Sequence, residues 1–348
     1  MAHSGRVVGL GFLPLRGAPY HHCSGSGAQT IRQVERMKAM SHRRTIRVIQ
    51  CGLGPIGLMI TRLLTERPGV RIAGAVDVDA EKIGRDAGTL AGRRKPLGVT
   101  VKGLDDLDAL LRQVQPAVAV VATTSSFENA FPLLLRLVTA GVGVVSTCEE
   151  LAFPWETHPR LAKRLDAAAR AKGVAVLGTG VNPGFLMDFL PLALTGVCRE
   201  VRSIRVERYQ DAAFRRLPFQ RKIGAGLTPA EFRRKVAEGT LRHVGLTESM
   251  RMIAARLGWK LERAQDAIRP VIATRRVATP RLTIEKGRAL GVEQTGRAWA
   301  NGREVITLAF RACVGQPEPR RDRAAQQRLV GGAGGGGQSL PQHGHADV

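Results

Sequence analysis

The sequence predicts a doubly wound parallel α/β domain followed by a smaller α+β domain, and three observations carry that expectation. Short apolar runs alternate with helical patterns from Thr45 onward, a glycine-rich turn joins the first run to the first helix, and the alternation changes character after Leu177. Strands covered by helices on both faces read as continuous apolar runs, whereas a half-solvated sheet alternates apolar with polar.

In chain order, residues 46–50, 71–76, 117–122, 142–146 and 174–177 read as strands. Residues 56–66 and 159–172 read as helices, and another helix begins near Phe127. Residues 201–209, 267–275 and 305–312 then read as strands among longer helices, one of which runs through Met252 and Ala255. The expected division is 43–178 for the first domain and 179–315 for the second. Residues 1–42 show no sustained period and are expected to be a disordered or non-native extension. Residues 316–348, with Arg320, Arg321, Arg323 and a glycine run, are expected to be a disordered tail, because such a composition cannot offset its ordering entropy.

The 348 residues are 44% apolar and 24% charged, which excludes the collagen-like, coiled-coil and wholly disordered classes. Lys and Arg number 53 against 29 Asp and Glu, a net charge of +24 that suits anionic ligands. Aromatics are only 4% and do not interleave with basic residues, so no nucleic-acid partner is expected and a phosphate-bearing cofactor is the stronger reading. The five cysteines, Cys23, Cys51, Cys148, Cys198 and Cys313, lack paired spacing, which argues for a reducing compartment and against a metal or disulfide framework. No apolar run is long enough for a bilayer, so no membrane association is expected and the location is expected to be cytoplasmic.

The sharpest motif is Gly52-Leu53-Gly54-Pro55-Ile56-Gly57, between the first strand and the first helix. Its glycines permit a tight turn, close approach of backbone N–H groups to a pyrophosphate, and close helix packing, at a helix terminus carrying partial positive charge. Asp77 ends the next strand, 25 residues beyond Gly52, where a carboxylate accepts from ribose hydroxyls. A Rossmann-type dinucleotide site for NAD or NADP follows. Asp77 favours NAD, and Lys82 and Arg85 keep NADP open.

Thr123 and Thr124 leave a strand at the ligand edge of the sheet, where they either pass the nicotinamide or cap the next helix. Glu149 and Glu150 leave another; adjacent carboxylates cannot share one face, so either at most one enters the cleft or both merely cap the next helix. The segment from Gly178 through Asn182 and Pro183 to Phe185 either lines a cleft or is a hinge. His243 by itself reads as a helix-start hydrogen bonder. No metal-ligand spacing and no Ser-His-Asp or Cys-His nucleophile arrangement is present.

Taken together, the glycine motif, Gly84-Arg85-Asp86-Ala87-Gly88, Cys148-Glu149-Glu150-Leu151 with Pro154-Trp155, the segment from Gly178 to Phe185 with Asp188, and His243-Val244-Gly245 with Glu248-Ser249 resemble the 2,4-diaminopentanoate dehydrogenase and native amine dehydrogenase family, of the dihydrodipicolinate reductase-like fold. The resemblance runs from about Arg44 to about Gly315. It implies a substrate and dimerisation domain behind the dinucleotide domain, and an NAD(P)-dependent enzyme that deaminates an amine or diamine oxidatively and aminates a ketone with ammonia reductively. It also implies an acid–base role for the Glu149-Glu150 pair, with Glu150 preferred, and a substrate pocket lined by Asn182, Phe185 and His243. No carboxylate-binding Arg stands within these motifs, which favours amines over α-amino acids. Family members continue with a Gly-rich acidic loop and a helix that are not legible after Gly315, so a homodimer is expected if the C-terminal domain is intact. The alternatives are an imine reductase of the dihydrodipicolinate reductase kind, whose His-rich segment is absent, and a truncated non-catalytic dinucleotide-binding protein.

Overall fold

The computed structural model describes residues 45–215 and 217–315; the expectations for residues 1–42 and 316–348 lie outside them. The first sheet holds β1 (Ile46–Cys51), β2 (Val70–Val76), β3 (Val101–Lys102), β4 (Val118–Val121), β5 (Gly143–Ser146) and β6 (Val176–Gly178). All neighbours are parallel, in the order β3-β2-β1-β4-β5-β6. Chain direction across the sheet reverses between β1 and β4, and the crevice beyond their carboxyl ends is where such sheets bind ligands.

The crossovers are α1 (Pro55–Thr65), the short α2 (Ala87–Leu90), α3 (Leu107–Val114), α4 (Phe127–Thr139) and α5 (Pro159–Lys172). Local sequence explains their ends. Pro55 and Pro159 occupy first turns, Ser126 accepts from Asn129 N–H to cap α4, and Gly173 ends α5 in the left-handed region at φ 64°. Leu134, Leu137 and Val138 of α4 and Ala162 and Leu165 of α5 close one core with Ile49 and Val121 of the strands. A smaller cluster of Leu53, Ala75, Ala87 and Val101 holds the glycine turn and β2.

After β6 come α6 (Phe189–Thr195), β7 (Ile204–Asp211), α7 (Leu217–Lys222), α8 (Pro229–Ala237), α9 (Leu246–Leu257), β8 (Arg263–Ile272), the small pair β9 (Val277–Ala278) and β10 (Thr283–Ile284), β11 (Ala289–Ala300) and β12 (Arg303–Cys313). The second sheet is mixed, in the order β7-β12-β11-β8, with β7 parallel to β12 and the other pairs antiparallel. Helix α9 lies on its inner face, where Gly296 leaves room for Met250 and Leu246. This domain has its own core, with Phe232, Met250, Ile253, Leu308 and Phe310 at its centre.

Three of these strands were expected, each displaced by two to four residues at one end or the other; β11 was not. Its sequence carries Gly291, Glu293, Gln294, Thr295, Gly296 and Arg297, too polar and glycine-rich to read as a central strand. Tertiary pairing on both sides makes it one. Gly291 is needed there: a Cβ would stand 2.1 Å from the Ala312 carbonyl oxygen of β12, beside an irregularity in the pairing with β8. Gly291→Ala is expected to force the two strands apart and to lower unfolding free energy by about 1–3 kcal/mol, read as a fall in the urea midpoint.

Candidate active site

The turn after β1 shows a separate reason for each glycine. Gly52 adopts φ 86°, and a Cβ on it would lie 2.5 Å from Ala122 O and 2.9 Å from Thr123 Cγ2. At Gly57 a Cβ would stand 1.9 Å from Gly52 O, so only glycine lets α1 start against the turn. At Gly54 a Cβ would meet nothing, and no side chain caps the helix that begins at Pro55. An open glycine before uncapped N–H groups is the arrangement a pyrophosphate occupies, so the residues present fit a dinucleotide.

Two side chains brace this turn. Gln50, fully buried, donates to Gly52 O at 3.0 Å, and Asp77 accepts from Leu53 N–H at 2.6 Å and from Asp79 N–H at 2.9 Å. A carboxylate offers about four acceptor positions, so Asp77 keeps capacity for a hydroxyl. Lys82 reaches Asp79 at 2.9 Å and Asp77 at 3.7 Å, and its side-chain bond holds Asp79 below the usual carboxylate range.

Next along the ligand edge, Thr123 packs beside Gly52, while Thr124 Oγ1 accepts from Ser126 N–H at 3.2 Å in a local turn. Glu149 and Glu150 open a 3₁₀ turn (Glu149–Ala152) after β5, and the structure separates them. Glu150 accepts from Phe127 N–H at 2.9 Å, at the start of α4, and its other neighbour is His158 Nε2 at 3.3 Å. Glu149 is half-buried and its carboxylate makes no hydrogen bond or ion pair among the described residues. A Cβ built on Gly245 would stand 3.4 Å from Glu149 Cβ and 2.5 Å from Pro183 Cγ, so the residue before α9 lies beside Glu149. Burial pushes the adjacent Cys148 thiol up to about 12, so it is not a nucleophile at neutral pH.

On the facing side, Asn182 Nδ2 lies 3.0 Å from Met187 Sδ and 3.4 Å from His243 Nε2. The His243 ring packs on Phe310 with centroids 4.7 Å apart, and Arg208 stands over the same ring at 5.4 Å. Asn182 Oδ1 and His243 Nδ1 are buried without a hydrogen-bond partner among the described residues. Arg208, half-buried on β7, pairs with no carboxylate among the described residues, and burial followed by the charge of Arg215 lowers its pKa. Burial, reinforced by Arg208 and Lys222, lowers His243 to about 4, so it is neutral at physiological pH.

The structure therefore brings Asn182 and His243 together and sets Glu149 beside Pro183 and Gly245, while Phe185 is turned elsewhere. Phe185 stacks on Phe189 with centroids 6.3 Å apart and is 46% exposed; the aromatic wall against His243 is Phe310. Sequence reasoning missed Phe310, Arg208 and Gln294, which lie on strands with no local motif. Alternation along β7 and β12, with Arg208 and Phe310 paired in register, was the available signal. Among the described residues no cluster of three metal-ligating side chains exists, and no helix is long and apolar enough to cross a membrane.

The fold is that of a Rossmann-type oxidoreductase, a six-stranded parallel sheet with helices followed by a mixed sheet. The family model of the 2,4-diaminopentanoate dehydrogenase C-terminal domain matches residues 185–320. The chain is 33% identical to 2,4-diaminopentanoate dehydrogenase of Acetoanaerobium sticklandii over 269 residues, 76% of this chain and 74% of that one. It is 25% identical to an amine dehydrogenase of Streptomyces virginiae, covering 64% of this chain and 62% of the relative. Among solved structures, the amine dehydrogenase of Mycobacterium smegmatis superposes with a TM-score of 0.67 at 26% identity, over 80% of this chain and 82% of the other. This chain belongs to the 2,4-diaminopentanoate dehydrogenase family, and it is a dehydrogenase of the kind that family and the amine dehydrogenases represent.

The His243 environment makes stability pH-dependent. A His whose folded pKa is depressed contributes fully above its unfolded value of 6.5 and loses that contribution as pH falls through about 4. The urea midpoint is expected to drop between those limits, and the drop to be shallower in His243→Gln.

Proposed function

We propose that this chain is an NAD(P)-dependent amine dehydrogenase that interconverts a carboxylate-bearing primary amine with the corresponding ketone and ammonia. The observation that carries the reading is the half-buried Glu149 at the ligand edge of the sheet, its carboxylate unpaired among the described residues and its Cβ against Gly245. Residues 43–178 hold the cofactor in this reading and residues 179–315 hold the substrate.

Gly52 to Gly57 would cradle the pyrophosphate, Asp77 would accept from the adenosine ribose, and Thr123 and Thr124 would flank the nicotinamide end. When bound, the nicotinamide takes a hydride from the amine-bearing carbon, or returns one to it. Glu149 holds and moves the proton. In the oxidative direction it removes a proton from the substrate ammonium, so that the nitrogen lone pair can form the imine as the C–H bond is lost. Once that proton has passed to solvent, the carboxylate takes a proton from the water that adds to the C=N carbon and returns it to the carbinolamine nitrogen, so that ammonia departs as the hydroxyl proton is lost and the carbonyl forms. In reverse it takes the proton of the attacking ammonium.

Asn182 and His243 orient the substrate. Because His243 is neutral, it offers one donor and one acceptor and adds no positive charge that would repel an ammonium. Arg208 supplies a fixed cation for a substrate carboxylate, and Phe310 keeps water from the space between them. This reading departs from the expected preference for amines over α-amino acids, because Arg208 lies on β7 rather than in the loop motifs. The preference between the two glutamates is reversed as well, because the Glu150 carboxylate is spent on the α4 terminus and His158.

The test is cofactor reduction with a panel of amino acids and uncharged amines, and cofactor oxidation with ammonia and the matching ketones. Glu149→Gln is expected to lower turnover by about 10²–10⁴-fold with dinucleotide affinity intact, whereas Glu150→Gln lowers the melting temperature and leaves most turnover. Equal turnover in wild type and Glu149→Gln would point instead to an imine reductase in which the glutamates are bystanders. Arg208→Leu is expected to raise KM for the carboxylate-bearing substrate by about 10–100-fold and to leave an uncharged amine of equal length unaffected, measured by initial rates.

A further inference from the structure

We propose that Gln294 is a positioning residue for the substrate cleft: its side-chain amide grips both backbone polar groups of His243 and so sets the imidazole between Asn182 and Phe310. The inference rests on the reading of that cleft as the substrate site.

His243 lies in the irregular stretch between Leu241 and the start of α9, where no strand or helix ladder satisfies its backbone. Partly buried peptide groups require partners. Gln294, fully buried at the middle of β11, supplies both: its Oε1 accepts from His243 N–H at 2.8 Å, and its Nε2 donates to the His243 carbonyl at 3.0 Å. The amide acts as a strand neighbour of one residue's length. In register it stands between Phe310 on β12 and Ile268 on β8, so the residue that grips the His243 backbone neighbours the ring its imidazole packs on.

Asp266 on β8 decides which way the amide faces. Its carboxylate accepts the second N–H of Gln294 Nε2 in a short hydrogen bond, and an ionised carboxylate can only accept. Turning the amide over would set an oxygen against that carboxylate and leave the His243 N–H without an acceptor. The nitrogen therefore faces Asp266 and the oxygen faces the His243 N–H. A carboxylate at the rim of the sheet is thus linked, through one amide, to the place of an imidazole whose Nδ1 has no partner.

The test uses the full-length protein with Gln294→Leu, which removes both bonds, and Gln294→Glu, which keeps the acceptor and loses the donor. Three readouts are needed: NMR titration of the His243 imidazole, KM and kcat for the amine, and dinucleotide affinity by fluorescence. For Gln294→Leu the expected result is a rise of His243 from about 4 toward 6.5 as its ring gains solvent, an amine KM raised about tenfold, and unchanged dinucleotide affinity. Gln294→Glu is expected to show at least the same changes, because it sets a second carboxylate against that of Asp266 and against the His243 carbonyl. An unmoved imidazole titration together with an unmoved KM in either folded variant overturns the proposal, and so does a KM change matched by an equal change in dinucleotide affinity. Should Gln294→Leu fail to fold, the Glu variant decides on the same readouts. If the wild type turns over no amine, the reading of the cleft falls, while the imidazole titration still judges whether Gln294 places His243.

Discussion

The cleft depends on one buried carboxylate. Asp188 has no exposed surface, and its oxygens accept from Gly184 N–H at 2.7 Å, Phe189 N–H at 2.6 Å and Ser249 Oγ at 2.8 Å. Burying such a group is costly unless donors surround it, so the loop after β6, the start of α6 and the first turn of α9 are compelled to meet. Where they meet, Gly245 packs between Pro183 and Glu149, and Asn182 comes within reach of His243. Releasing any of the three donors would leave a buried charge underprovided, which favours a single arrangement over an adjustable hinge.

Charge is distributed so that each part of the cleft keeps its protonation state. Arg208 cannot lose its proton even where burial opposes it, and its field adds to that of Lys222 in keeping His243 neutral. Two cations thus stand near the imidazole without making it another. Glu150, anchored at the N-terminus of α4, holds that helix and the segment around Ser125 in place, while Glu149 stays unpaired. Two adjacent residues of the same chemistry thus stand in different surroundings within one 3₁₀ turn.

On the cofactor side, economy of space does the equivalent job. Gly57 has no room for a methyl group because Gly52 O occupies it, and Gln50 and Asp77 hold the intervening turn from below and from the side. Asp77 therefore has a structural duty as well as the ligand-binding one the motif suggests. Lys82, which as a sequence feature reads either as a phosphate contact or as a solvated residue, is engaged by Asp79 and Asp77.

Local sequence was sufficient for the parallel domain: apolar runs buried on both faces, the glycine turn with its acid one strand later, and the caps of α4 and α5 all act within a few residues or one crossover. It was also sufficient to bring forward Glu149, Glu150, Asn182 and His243, since unusual residues in short loops stand out. What it could not decide depends on neighbours far apart in the chain. The strand character of β11, its polar sequence made central by β8 and β12, is one such case. Arg208, Phe310 and Gln294 are others, ordinary residues on ordinary strands until the second sheet brings them to His243. The different surroundings of Glu149 and Glu150 are the last, for they turn on where Phe127 N–H, His158 and Gly245 come to lie. Hydrogen bonding and exclusion of volume are three-dimensional relations, and only the folded chain sets their partners.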